Sequence, residues 1–267
     1  MTTIKNYLSL VKFSHTIFAM PFAIIGFVLG LKSNSNIQEI SNKEYGLKFM
    51  LVIICMITAR SAAMAFNRYL DRSFDSKNPR TAIREIPKGI ISANSALRFV
   101  IINCVVFIIA TYFINPICLY LSPVALFVIL FYSYTKRFTA LCHLVLGVGL
   151  SLAPIGAFLA VTGVFAIIPI LFSLAVIFWV SGFDIIFALQ DVDFDQSQKL
   201  HSIPAVLGVT KALKVSELLH VLSATCVIAA GYLGNFSWLY WVGIAVFVGM
   251  LIYQHLIVKP NDLSKVN

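Results

Sequence analysis

Eight stretches of this sequence run for about 20 residues with almost no charge: near 9–31, 49–70, 96–114, 116–134, 140–161, 165–188, 212–232 and 236–258. About 20 helical residues cross the ~30 Å hydrocarbon core of a bilayer. Inside that core no water satisfies backbone N–H and C=O groups, so only helices and closed barrels can span it. Barrel strands are about half as long as these runs. The expected fold is therefore all-α: a polytopic transmembrane bundle of eight helices. The low charged content, 12% of residues, is about half that of a soluble domain and agrees with this.

The first run continues through Pro21 and is followed by seven more, which predicts a retained helix rather than a cleaved signal peptide. Cys55, Cys104, Cys118, Cys142 and Cys226 lie in or at the ends of apolar runs without a CxxC pair, and are read as packing residues. The net charge of +9 does not point to nucleic acid, because the cations follow topology. With a cytosolic N-terminus, all of the 20 Lys and Arg except Lys32, Lys43 and Lys48 fall on the cytosolic side. The positive-inside rule then puts both termini in the cytosol. The expected location is a bacterial cytoplasmic membrane.

The outer connections at Asn115-Pro116, Thr162-Gly163 and Gly234-Asn235 are short and uncharged. Two cytosolic connections, 71–95 and 189–211, are long and hold most of the carboxylates; irregular backbone of this kind is where binding residues concentrate. Asn67, Asp71 and Asp75 align with Phe187, Asp191 and Asp195 at a constant offset of 120 residues, and Ile86-Pro87 and Ile203-Pro204 follow. This repeat predicts two four-helix halves, an arrangement that commonly puts a site at the interface of the halves.

Arg60, Met64, Asn67, Asp71 and Asp75 step by 4, 3, 4 and 4, and Asp184, Asp191 and Asp195 by 7 and 4. Each set predicts a polar stripe along one helical face. Ionisable groups in apolar helices are costly and mark functional pathways. Carboxylates at i and i+4 on two helices suit Mg2+, which prefers a few carboxylates, waters and substrate phosphates to a closed protein cage. No His or Cys sits among them to favour zinc. The candidate metal ligands are Asn67, Asp71, Asp75, Asp191 and Asp195. Arg72, Lys77, Arg80, Arg84, Lys88 and Lys199 are candidates to neutralise diphosphate oxygens, although some of them serve as lipid anchors instead. Solvated helix ends paired with arginines explain one such motif as well, but not two at matched positions.

The run from Ala59 through Asn67-Arg68-Tyr69-Leu70-Asp71-Arg72-Ser73-Phe74-Asp75, with Asn78-Pro79-Arg80-Thr81, Arg84-Glu85-Ile86-Pro87-Lys88-Gly89, Tyr134-Thr135-Lys136-Arg137-Phe138-Thr139 and the segment Asp184 to Asp195, resembles the UbiA superfamily of membrane prenyltransferases. Within it the chain is most similar to the 4-hydroxybenzoate polyprenyltransferases of quinone biosynthesis. The resemblance implies a helical bundle around a central lipid-open cavity, and Mg2+ and polyprenyl diphosphate bound by Asn67, Asp71, Asp191 and Asp195 with Asp75 assisting. The implied acceptor is a small aromatic acid. Arg137 is a candidate for the acceptor carboxylate, since a guanidinium offers a bidentate fork, with a positive-inside anchor as the equal alternative; Lys136 beside it is a candidate substrate-binding residue. Asp184 is a candidate to orient the acceptor hydroxyl or take a proton, or else a partner to an arginine such as Arg60. His201 is a weaker candidate for diphosphate contact. His15 reads as a packing residue, and His143, His220 and His255 show no partner pattern.

The family has nine helices where eight are read here, so a single domain lacking the last helix is expected. Naphthoate, haem or chlorophyllide acceptors are the alternatives within the superfamily. A cation-coupled transporter is the alternative from another class.

Overall fold

The computed structural model describes residues 2–34, 42–260, 262, 263 and 266, with the side chains of 13–19, including His15, outside the described residues. In chain order the helices are α1 (Thr2–Leu10), α2 (Phe13–Asn34), α3 (Asn42–Leu70), α4 (Arg72–Asp75), α5 (Ala93–Ile114), α6 (Pro116–Thr135), α7 (Cys142–Thr162), α8 (Ile167–Ala188), α9 (Val192–Ser197), α10 (Ile203–Leu207), α11 (Val209–Leu233) and α12 (Trp238–Ile257). A 3-10 turn, Leu189–Asp191, joins α8 to α9. Among the described residues seven segments are long and apolar enough to cross a bilayer: Lys43–Leu70, Ala93–Ile114, Pro116–Thr135, Cys142–Thr162, Ile167–Ser197, Val209–Leu233 and Trp238–Ile257, while Met20–Ser33 in α2 is a shorter apolar helix. The chain is a multi-pass integral membrane protein. Large apolar side chains left open, such as Trp238, Met250 and Tyr253 on α12 at 74%, 67% and 64% exposure, face lipid rather than water.

The expected span 9–31 is not one helix. The chain turns at Val11 and at Lys12, whose φ is 47°. Leu10 and Val11 are both buried, and Leu10 packs with Ala62, Ala65, Ile91, Ala96 and Val100. The Ser9 hydroxyl is tied to the Glu85 carboxylate, so α1 is anchored to the first unit by its own contacts.

The helices form two compact units, Met1–Tyr134 with Leu152–Phe165 and Thr135–Ser151 with Ala166–Asn267, so the division runs through α7. In the first, α3 and α5 pack along their length. Asn115, extended at ψ 166° as a residue before proline must be, ends α5. Its side chain accepts from the Cys118 N–H at 2.9 Å and donates to the Leu159 carbonyl at 2.8 Å. Gly26 of α2 lies against Pro154 of α7, where a Cβ would come within 2.0 Å of the Pro154 carbonyl oxygen. Backbone cannot yield as a flexible side chain does. Gly26→Val is expected to cost about 2–3 kcal/mol, the upper part of the overpacking range, and a wild-type unfolding midpoint in detergent would contradict the close crossing.

In the second unit α8 and α11 pack along their length. Ser216 and Ser223 donate to the carbonyls of Gly182 and Ala175, each at 2.8 Å. Small residues and hydroxyl-to-carbonyl bonds are how helices hold together in lipid, where apolar burial gives no net drive.

Candidate functional site

The first acidic motif belongs to the first unit. Asn67 stands on the last turn of α3, which ends at Leu70, and Asp71 leaves helical geometry at φ −88° and ψ 6°. The regular helix expected through Asp75 is therefore interrupted at Asp71. The i→i−4 bonds persist across the break, from Asp71 N–H to the Asn67 carbonyl at 2.9 Å and from Asp75 N–H to the Asp71 carbonyl at 2.8 Å. The three residues thus remain stacked, and the Asn67 amide donates to Asp71 Oδ2 at 3.1 Å.

Asp71 is half-buried, whereas Asp75 is only 6% exposed. The Arg84 guanidinium holds Asp75 Oδ1 at 2.6 Å, and Asp75 Oδ2 is buried with no hydrogen-bond partner. The loop that delivers Arg84 is ordered by its own bonds: Thr81 Oγ1 donates to the Asp75 carbonyl at 3.1 Å, and Arg80 N–H to Asn78 Oδ1 at 2.9 Å. Arg72 stacks 4.6 Å over the Tyr69 ring and donates to the Tyr69 carbonyl at 2.6 Å. Arg72, Lys77, Arg80 and Lys88 have exposed side chains. Arg84 is turned inward, to Asp75.

The second motif belongs to the second unit. The regular helix expected from Asp184 through Asp195 is also interrupted, because Leu189–Asp191 is 3-10 helix. That turn advances each residue by about 120° instead of about 100°, which rotates Asp191 by about 60° from its place in a continuous helix and leaves it on the Asp184 side. Asp191 is half-buried and Asp195 is 0% exposed. The Lys136 ammonium lies 2.7 Å from Asp195 Oδ1, and Ser202 Oγ donates to Asp195 Oδ2 at 2.8 Å. His201 N–H donates to the Lys136 carbonyl at 2.7 Å, fixing the loop to the segment that carries Lys136 and Arg137. Arg137 is half-buried, Lys199 exposed.

The two motifs share one design. In each, the later aspartate is buried and neutralised by a cation, while the earlier one keeps access to its surroundings. Buried charge needs such a partner; an open, oriented carboxylate does not. Asp71 held by Asn67, with the orphaned Asp75 Oδ2 one turn on, fits a hard cation that takes oxygen ligands. Among the described residues no group of three or more His, Cys, Asp and Glu side chains is gathered closely enough to hold a metal, the carboxylates of the two motifs included.

Two partners went unread in the sequence. His143, which shows no partner pattern in the sequence, has Nδ1 2.7 Å from Asp184 Oδ2, so Asp184 is paired with a histidine. His220 and His255 are likewise paired, at 2.7 Å. Residues 41 and 35 positions apart carry no periodic signal. Ser202 as a ligand of Asp195 had only a weak one, its place just before Ile203-Pro204.

Comparison with known proteins places the chain among relatives. The profile of the UbiA prenyltransferase family matches residues 19–267. The 4-hydroxybenzoate octaprenyltransferase of Tolumonas auensis is 30% identical over 76% of this chain and 71% of its own length. That of Paraburkholderia phymatum is 29% identical over 89% and 83%. Among solved structures, the apo UbiA homolog from Aeropyrum pernix K1 superposes with a TM-score of 0.82 at 30% identity, covering 91% of this chain and 88% of that one. The Archaeoglobus fulgidus UbiA homolog bound to DMAPP and Mg2+ gives 0.75 at 20% identity over 98% and 93%.

Proposed function

The chain belongs to the UbiA prenyltransferase family, and from that premise we propose that it transfers a polyprenyl group from polyprenyl diphosphate to a 4-hydroxybenzoate-like aromatic acid, in a Mg2+-dependent reaction of quinone biosynthesis. The observation that carries the reading is the paired design of the acidic motifs, half-buried Asp71 and Asp191 each followed by a buried, cation-held aspartate. The curated relatives named as 4-hydroxybenzoate octaprenyltransferases support the acceptor class. The A. fulgidus homolog bound to DMAPP and Mg2+ supports the donor and the metal.

Mg2+, when bound, supplies positive charge to the diphosphate oxygens. Asn67, Asp71, Asp75, Asp191 and Asp195 are assigned to hold it. Asn67 orients Asp71 through its amide, and Arg84 and Lys136 hold Asp75 and Asp195 in place. Arg72, Lys77, Arg80 and Lys199 are assigned to face the departing diphosphate, whose charge grows as the allylic C–O bond breaks; nearby positive charge lowers that barrier. A ring carbon of the acceptor, ortho to its hydroxyl, forms the new C–C bond, and loss of its proton restores aromaticity. Asp184 is assigned to orient that hydroxyl or accept the proton.

Arg137 is assigned to the acceptor carboxylate. A charged hydrogen bond is worth about 1.5–3 kcal/mol, so Arg137→Ala is expected to raise the acceptor KM about tenfold or more and leave the donor KM unchanged. Equal rises in both would remove Arg137 from that role. The function itself is tested by incubating purified protein with labelled polyprenyl diphosphate, Mg2+ and a panel of aromatic acids. A C-prenylated hydroxybenzoate is expected. Label on a naphthoate alone would move the chain to another acceptor branch.

A further inference from the structure

Beyond the assignments above, we infer that His143 is a positioning residue that fixes the Asp184 carboxylate as a hydrogen-bond acceptor at the site where the acceptor substrate is handled. The step from the structure is a proton count. His143 Nε2 lies 3.2 Å from the backbone N–H of Ile203, in hydrogen-bonding geometry. A backbone N–H can only donate, so Nε2 carries no proton. The proton of the neutral ring is therefore on Nδ1, which lies 2.7 Å from Asp184 Oδ2 and donates to it. An imidazolium would set an N–H against the Ile203 N–H, and the other neutral tautomer would do the same while leaving Nδ1 to face a carboxylate lone pair.

The rest of the surroundings support this state. The ring is buried, the residue being 2% exposed, and its backbone carbonyl accepts from Ser181 Oγ at 3.0 Å. Asp184 keeps 31% of its side chain exposed, so one carboxylate is pinned from behind and reachable from in front. Ile203 directly follows Ser202, which binds Asp195. The loop that completes the second acidic motif thus also sets the tautomer that aims Asp184. A carboxylate aimed by an Nδ1–H and held in one rotamer is the arrangement that a hydroxyl-orienting or proton-accepting role needs.

The inference rests on the proposed reaction for what Asp184 does, but not for its geometry, and two measurements separate the two. The first is the 15N spectrum of histidine-labelled protein, with His143 assigned by its loss in His143→Asn. A protonated Nδ1 and a bare Nε2 are expected near neutral pH; a protonated Nε2 overturns the inference whatever the substrate is. The second compares variants in prenyl transfer. His143→Leu removes the donor and is expected to lower kcat/KM for the acceptor about tenfold to a hundredfold, the range seen when an orienting partner is lost, with the donor KM unchanged. His143→Asn returns an N–H at the Nδ1 position and is expected to recover most of the loss. Equal loss in both variants, or a matching rise in donor KM, reduces His143 to a packing role. Should the wild type prenylate no aromatic acid, the acceptor assignment falls, and the 15N spectrum still decides the tautomer.

Discussion

Asp71→Ala and Asp191→Ala are each expected to lower prenyl transfer by about 10²- to 10³-fold or more, the scale on which loss of one preorganised group facing developing charge is felt. Both residues are half-buried, where truncation costs less stability than at a buried position such as Asp75 or Asp195. The variants should therefore fold as the wild type does. Asp71→Asn separates charge from shape, keeping the hydrogen bond with Asn67 but not the negative charge, and should be nearly as inactive as Asp71→Ala. Activity within a few-fold of wild type in any of these would remove the residue from the metal and diphosphate assignment. Thermal unfolding in detergent, run beside the kinetics, shows that what was lost is chemistry and not fold.

Lys136→Met is expected to behave in the opposite sense, as a loss of stability. Asp195 is 0% exposed and Lys136 is its cation at 2.7 Å. Removing one partner of a buried pair costs about 3–5 kcal/mol, because it strands the other charge. With 35% of the Lys136 side chain exposed, the lower end of that range applies. Replacing both partners by apolar groups removes the stranded charge, so Lys136→Met with Asp195→Leu should regain most of the stability while remaining inactive. An unfolding midpoint for Lys136→Met equal to wild type would show that Asp195 does not depend on this ion pair. The position also bears on substrate: a lysine already committed to Asp195 has less to give to an incoming anion.

The transmembrane helices were legible because crossing a bilayer leaves one mark in sequence, length without charge, and the observed spans match the apolar runs closely from α3 onward. The break at Lys12 was not, since Leu10 is buried against Ala62, Ile91 and Ala96, a tertiary contact that periodicity does not record. The acidic motifs were legible as residues but not as geometry. A spacing of four reads as a continuous helix, and the chain leaves regular helix at Asp71 and in the 3-10 turn of Leu189–Asp191. The division of labour within each motif was hidden for the same reason. Nothing in Asp71-x3-Asp75 says which carboxylate is buried, and Arg84 and Lys136 are read as substrate cations until their partners are seen. The His143–Asp184 contact depends on helices α7 and α8 meeting, and no local pattern records that.

The most direct test of the account is transfer of a labelled prenyl group from its diphosphate to a hydroxybenzoate by the purified protein, in excess Mg2+ and again after chelation. The account predicts C-prenylated product and equimolar diphosphate with Mg2+, neither after chelation, and full return of both when Mg2+ is restored. Prenyl transfer at an undiminished rate without divalent cation, or in the Asp71→Ala and Asp191→Ala proteins with it, would contradict the assignment of the two aspartate motifs.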